Sequence, residues 1–202
     1  MSSFTILTVC TGNICRSPMG EVVLRQRLLE AGVADVAVNS AGVSAEENGH
    51  DIDSRAKRVL SAAGYPLPTN HRAHRATAAE LTSANLILAM TVGHARRLRP
   101  MVLDAGGDIE RIHLWREFDG TLAYASRGVF GASGALATDP SWNATDRSSK
   151  RSRHYSDLYS SNGEFDVPDP WYGGPADFLT ALQTIEAGAP AIVELVRTAV
   201  RA

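Results

Sequence analysis

Phe4-Thr5-Ile6-Leu7-Thr8-Val9-Cys10-Thr11-Gly12-Asn13-Ile14-Cys15-Arg16-Ser17-Pro18 is the stretch that decides how the chain is organised. Residues 4 to 9 are β-prone and mostly apolar, which predicts a buried strand. Ser17-Pro18 reads as the opening of a helix, since serine caps and proline is preset for a first turn. The loop between them then curls around a helix N-terminus, where unpaired N–H groups and the macrodipole attract an oxyanion. Gly12 and Asn13 tolerate the positive φ of such an anion-binding turn. Arg16 can grip two phosphate oxygens in a planar fork, and the same positive field favours the nucleophilic thiolate of Cys10. Together these residues point to a thiol-based phosphatase.

Two plainer readings compete. A strand-to-helix turn with a buried cysteine and a capping serine explains some of these residues, but not why Gly12, Asn13, Arg16, Ser17 and Pro18 all stand in place together after a strand. A disulfide between Cys10 and Cys15 would close so short a loop that it would stabilise little.

Outward from this stretch, β-rich runs alternate with helical patterns, the signature of a parallel sheet with crossover helices. Strands are expected at Phe4 to Val9, Asp35 to Ser40, Asn85 to Met90 and Arg111 to Leu114. Helices are expected at Met19 to Ala31, Ser54 to Ala63, Ala78 to Ser83, Val92 to Leu103 and Pro175 to Val200, the last interrupted or kinked around Gly188 and Pro190. In such doubly wound α/β sheets ligands bind beyond the carboxyl ends of the strands at the switch point, and Cys10 closes the first strand.

Composition sets the outer limits. The 202 residues are 44% hydrophobic with a net charge of −2, so one domain over residues 1 to 202 is the expectation, with no basic excess to suggest nucleic acid. Continuous apolar runs are too short for a membrane span, and residues 1 to 30 lack a basic start followed by an apolar core and a cleavage site. The expectation is therefore a cytoplasmic protein with reduced thiols, with no nucleic-acid or membrane partner. Asn143-Ala144-Thr145 matches a glycosylation acceptor, which carries no weight in that compartment.

Phosphoryl transfer to a thiol also needs an acid for the leaving oxygen. Two Asp-Pro pairs compete. Asp139-Pro140 lies in a Gly-, Ala- and Ser-rich stretch, whereas Asp169-Pro170-Trp171-Tyr172 runs through Gly173-Gly174 into the last helix. Asp169 is the stronger candidate, because Trp171 and Tyr172 supply flat walls against which an aromatic substrate could stack.

The stretch VCTGNICRSPMGE, with DPWYGG at residues 169 to 174, resembles the low-molecular-weight protein tyrosine phosphatases over most of residues 4 to 118 and 166 to 200. The resemblance implies a flavodoxin-like α/β fold, a central four-stranded parallel sheet with helices on both faces, and no metal or organic cofactor. It implies Cys10 as nucleophile, Arg16 as phosphate clamp and Asp169 as general acid. Thr11, Gly12, Asn13, Ile14, Cys15 and Ser17 would line the phosphate site beside Trp171 and Tyr172. Ser17 would both donate to the Cys10 thiolate and cap the helix, with Asn13, Ser40 and His71 bracing the loop behind it. Cys15 would be able to capture an oxidised Cys10. The family usually has aspartate after the methionine of the third strand, where this chain has Met90-Thr91. His74 reads as a solvated loop residue, and His50, His94 and His113 as surface or structural ones.

Substrates are then phosphotyrosine-containing proteins. An arginine phosphatase of the same fold typically has threonine at the position of Ile14, and an arsenate reductase needs further cysteines for its relay. A non-catalytic phosphopeptide-binding module would not need Cys10, Arg16 and Asp169 together. The departure from the family is an insertion at about 119 to 164, basic at Arg147, Lys150, Arg151 and Arg153. It reads as a peripheral loop that chemistry does not require, dispensable from about 122 to 162, although it runs straight into Asp169 and could shape the site entrance and tune access to it.

Overall fold

The structure is a computed structural model and describes residues 4–138 and 163–201. Four strands form one parallel sheet: β1 (Phe4–Cys10), β2 (Val36–Gly42), β3 (Leu86–Ala89) and β4 (Ile112–Leu114), in the order β2-β1-β3-β4. Between and after them run α1 (Arg16–Glu30), α2 (Ser54–Ala62), α3 (Ala78–Ser83), α4 (Val92–Asp104) and α5 (Pro175–Arg201).

Strand alternation sorts the core into two layers. Ile6 and Leu88 face α1, α2 and α5 through Met19, Leu24, Leu60 and Phe178. Leu7, Val9 and Ile87 face α3 and α4 through Leu81, Leu98 and Val102. Chain order reverses direction between β2 and β3 on either side of β1, so β1 ends at the switch point of the sheet. That places Cys10 where a ligand can approach.

Several boundaries differ from the sequence expectation. Helix α1 starts at Arg16, its N-cap is Cys15 with no side-chain cap, and Ser17 lies inside the first turn. Pro18 is accommodated there because first-turn N–H groups have no intrahelical acceptor. Serine is thus released from capping to serve the site. Asp35 precedes β2 in the left-handed region, φ 61°. Helix α5 runs as a single element through Gly188 and Pro190. Gly188 has a packing reason, since a Cβ there would sit 2.6 Å from Trp115 Nε1. By length and composition α5 could cross a membrane, contrary to the expectation from continuous runs; its Phe178, Leu182, Ile185, Ile192 and Val196 are buried in the core.

The largest correction concerns the insertion. Its described part, residues 119–138, packs along β4 at the edge of the sheet instead of standing clear of the core. Val129 is fully buried and donates its N–H to Ile112 O of β4 (2.9 Å), and Leu136 N–H returns to Val129 O (2.8 Å). This covers the exposed edge that β4 would otherwise present. Gly128 is needed for the approach: its φ is +67° and a Cβ would lie 2.5 Å from Ile112 O. Beneath it, the buried Glu117 carboxylate accepts from Leu114 N (2.7 Å), Ala125 N (3.1 Å) and His113 Nδ1 (3.1 Å), and Tyr124 stacks on His113 at 5.3 Å. Asp139 and the basic residues Arg147, Lys150, Arg151 and Arg153 lie outside the described residues.

Two deletions separate these regions. Replacing 139–162 with a short Gly/Ser linker is the reference, since it keeps every contact of residues 122–138 given above. Replacing 122–162 is expected to remove roughly 4 kcal/mol or more, by emptying the Val129 and Leu136 sites and stripping Glu117 of a partner. Urea unfolding of the two variants measures the difference. Equal stabilities would mean residues 122–138 contribute nothing to the fold.

Candidate active site

The loop Thr11–Cys15 is held from outside by its carbonyls. Val43 N donates to Cys10 O (2.9 Å), Ser44 N to Thr11 O (3.0 Å), His71 Nε2 to Asn13 O (2.8 Å) and Asp53 N to Ile14 O (2.8 Å). In a trans peptide the following N–H points opposite to the carbonyl, so the N–H groups of Thr11, Gly12, Ile14 and Cys15 are turned away from the scaffold. Such a row of inward N–H groups at a helix N-terminus suits a polyanion. Asn13 has φ 61°, as expected. Gly12 does not adopt positive φ; it is glycine because a Cβ would lie 2.7 Å from Glu47 Cγ.

Behind the loop runs a relay of polar side chains. Cys10 Sγ lies 3.0 Å from Ser17 Oγ, and Asn13 Nδ2 donates to both Ser17 Oγ (3.0 Å) and Ser40 Oγ (2.9 Å). Ser40 in turn donates to Glu21 Oε2 (2.5 Å), and Glu21 pairs with Arg25 (2.7 Å). Ser17 Oγ also reaches Ala41 O at 3.2 Å. One hydroxyl hydrogen therefore has two destinations: the carbonyl when Cys10 is a thiol, and the sulfur when it is a thiolate. Asn13 Oδ1 accepts from His74 N (3.2 Å), which uses the remaining face of the amide.

Arg16 is 3% exposed at its side chain, and its two ends tie the site to the acid loop. Nη1 donates to Val167 O (3.2 Å), and Nη2 to Asp169 Oδ2 (2.7 Å). Val167 N donates to Met90 O (2.8 Å) at the end of β3, and Asp166 Oδ1 accepts from Val92 N (2.7 Å) at the start of α4. Burial raises the Asp166 carboxyl above its usual range. Thr91 caps α4 through His94 N (3.1 Å), so a carboxylate reaches this helix start from Asp166 rather than from position 91.

His94 is a residue that the sequence gave little reason to place here. Its ring is fully buried, with Nε2 2.9 Å from Thr11 Oγ1. Burial, and then the Arg16 charge, hold it well below the usual imidazole range. Its Nδ1 has no partner among the described residues. An unpaired acceptor is cheaper to bury than an unpaired N–H, so Nε2 carries the hydrogen and donates to Thr11. The Thr11 hydroxyl hydrogen is then left for the cleft. His74, expected to be solvated, pairs with Glu80 at 2.8 Å; its burial opposes protonation, but Glu80 raises it above the ordinary value.

Cys10, Thr11, Gly12, Ile14, Cys15, Arg16, Glu46, Glu47, Asp169, Trp171 and Tyr172 line a cleft of about 270 Å³. Cys10 lies at its buried base, while Tyr172 is 86% exposed at its rim. Ser17, Asn13, Ser40 and His71 stand behind that surface, as described. Both cysteines are free. Burial and the neighbouring Cys10 push the Cys15 thiol up, away from the thiolate.

Comparisons with known proteins find relatives of this chain in both sequence and fold. The pattern of the family described as "Low molecular weight phosphotyrosine protein phosphatase" matches residues 5–130. The chain belongs to that family. It is 30% identical over 196 residues to a low molecular weight protein-tyrosine-phosphatase of Streptomyces coelicolor, covering 96% of this chain and 94% of that one. In fold it is similar to a protein tyrosine phosphatase of Entamoeba histolytica, with TM-score 0.69, 20% identity, and 98% and 99% of the two chains covered. It is also similar in fold to an arginine phosphatase of Geobacillus stearothermophilus, with TM-score 0.65, 23% identity, and 97% and 94% covered.

Proposed function

We propose that the protein hydrolyses phosphotyrosine on proteins through a cysteinyl-phosphate. The observation that carries this reading is the Arg16–Asp169 contact at 2.7 Å: it brings the clamp and the acid, 153 residues apart, to one wall of the cleft above Cys10. Cys10 attacks phosphorus in line while the loop N–H groups and Arg16 hold the equatorial oxygens. Ser17 turns its hydrogen to the sulfur. An incoming phosphate competes with Asp169 for Nη2, leaving the carboxyl to protonate the departing tyrosine oxygen and then to activate water. Because the thiol lies at the base of a cleft walled by Trp171 and Tyr172, a long aryl ester reaches it and phosphoserine does not.

The reading includes a single catalytic domain over residues 1–202, soluble phosphoprotein substrates and a reducing, cytoplasmic setting, which two unpaired thiols support. Ile14 at the cleft surface favours the aryl ester over phosphoarginine.

Turnover of matched phosphotyrosine, phosphoserine and phosphoarginine peptides tests it. The phosphotyrosine peptide is expected to be cleaved fastest by at least tenfold, and Asp169→Asn is expected to lower that rate by roughly a hundredfold, within the usual contribution of a positioned acid. Preference for phosphoarginine would move the assignment to the other branch of the fold. An Asp169→Asn rate within threefold of wild type would place the acid elsewhere.

A further inference from the structure

The two halves of the site, the phosphate loop and the acid loop, are both anchored at the start of α2. Asp53 caps that helix, accepting from Arg55 N (2.7 Å), while its own N–H donates to Ile14 O (2.8 Å) in the phosphate loop. Its carboxylate is also gripped by the Arg55 side chain, Nε at 3.1 Å and Nη2 at 2.9 Å. That fork fixes the guanidinium plane and leaves Nη1 directed at the acid loop. Nη1 donates to Trp171 O (3.1 Å) and Gly173 O (3.0 Å), the carbonyls on either side of Tyr172. The same guanidinium lies over the rings of Phe178 (4.5 Å) and Trp171 (5.6 Å).

Beyond Val167, which Met90 O already fixes (2.8 Å), the described residues of the acid loop show short-range bonds and the bond to Arg16. Trp171 N donates to Asp169 Oδ1 (3.2 Å), Gly173 N to Pro170 O (2.9 Å) and Gly174 N to Asp177 Oδ2 (2.7 Å). Those bonds shape the turn without locating it relative to the phosphate loop. The Arg16–Asp169 contact does locate it, but a bound phosphate takes Nη2 away from Asp169. At the moment the acid must act, Arg55 is a side-chain tether that substrate does not displace, joining the carbonyls on either side of Tyr172 to the scaffold that carries Ile14.

We propose that Arg55 is a positioning residue for the general acid, holding Asp169 at the leaving oxygen while substrate occupies Arg16. The proposal rests on Asp169 being that acid. Burial opposes it, but the Arg55 fork keeps the Asp53 carboxyl below the usual carboxylate range, so the clamp stays charged near neutral pH. Arg55 touches no reacting atom in this scheme. It acts through the backbone of Trp171 and Gly173, and it also sets the angle of the Trp171 wall.

Leaving groups distinguish positioning of an acid from general damage. A phenol such as tyrosine, pKa about 10, needs a proton to leave, whereas a dinitrophenolate leaves unaided. Arg55→Met keeps the stem over Phe178 and removes both bonds to the loop. Its kcat/KM for a phosphotyrosine peptide is expected to fall roughly thirtyfold, that for 2,4-dinitrophenyl phosphate less than threefold, with inhibition by inorganic phosphate unchanged. Arg55→Lys keeps the charge but not the fork, and is expected to show the same pattern to a smaller degree. Asp169→Asn serves as the reference. If it shows no leaving-group dependence, the acid assignment itself fails. If it does show the dependence and the Arg55 variants do not, or if they lose both substrates and phosphate inhibition in proportion, Arg55 is structural and the proposal is overturned. Should Arg55→Met fail to fold, Arg55→Lys decides by the same ratio.

Discussion

Cys10→Ser is expected to lower turnover of p-nitrophenyl phosphate by roughly four orders of magnitude or more, the scale on which removal of a covalent nucleophile acts. Binding of inorganic phosphate should survive. The two effects separate because different atoms produce them. On the proposed mechanism the anion is held by Arg16 and by the loop N–H groups, and the loop's geometry depends on the carbonyl bonds from Val43, Ser44, His71 and Asp53 rather than on sulfur. On the proposed mechanism the chemistry runs through the Cys10 sulfur, which lies 3.0 Å from Ser17 Oγ, and a serine hydroxyl is a far weaker nucleophile near neutral pH. Phosphate protection against thermal unfolding measures the first effect, and a turnover assay the second. Turnover within tenfold of wild type would remove Cys10 from the mechanism, and loss of phosphate protection would mean the sulfur also builds the anion site.

The parts of this arrangement legible in the sequence are those encoded over a few residues. Strand β1, the loop and α1 lie within residues 4 to 30, and alternation, loop residues and helical spacing all agree there. The limits of that local reading appear at Ser17. Serine before proline looks like a cap, but the chain enters the helix two residues earlier, because the carbonyl of Cys15 already accepts from Met19 N (3.1 Å). Glu21, on the same helix one turn beyond Ser17, gave only the signal of an acidic residue inside an apolar pattern. Its partner Ser40 came from resemblance, not from spacing.

Long-range approach is what the sequence hid. His94 meets Thr11 across 83 residues, and Arg55 meets the acid loop across 116 and 118. No local pattern distinguishes these from a surface histidine and a helix-face arginine. The packing of residues 119–138 was hidden for a related reason. Val129, Phe130 and Leu136 stand among glycines and alanines with neither period, and only the free edge of β4 explains why that segment packs. In contrast, the aromatic pair after Asp169 was legible, since Pro170 and the two glycines fix a turn whose direction leaves little choice.

Arg16→Lys is the second substitution expected to be severe although the charge is kept. A drop in kcat/KM of roughly three orders of magnitude is expected, the loss associated with removing a transition-state donor together with its fixed geometry. The guanidinium spans two partners from one plane, Val167 O through Nη1 and Asp169 through Nη2. A lysine ammonium is a single point on a flexible stem and cannot hold Val167 O while also meeting two equatorial oxygens. Its stronger hydration makes burial at a site 3% exposed more costly than for arginine. The acid loop is affected too, because Val167 O would lose the bond that ties residue 167 to α1. Loss of phosphate inhibition should therefore accompany loss of turnover, in contrast to Cys10→Ser, where inhibition persists. Steady-state kinetics on an aryl phosphate with phosphate as competitor separates the two patterns, and a lysine variant within tenfold of wild type would show that charge alone, not the planar fork, holds the phosphoryl group.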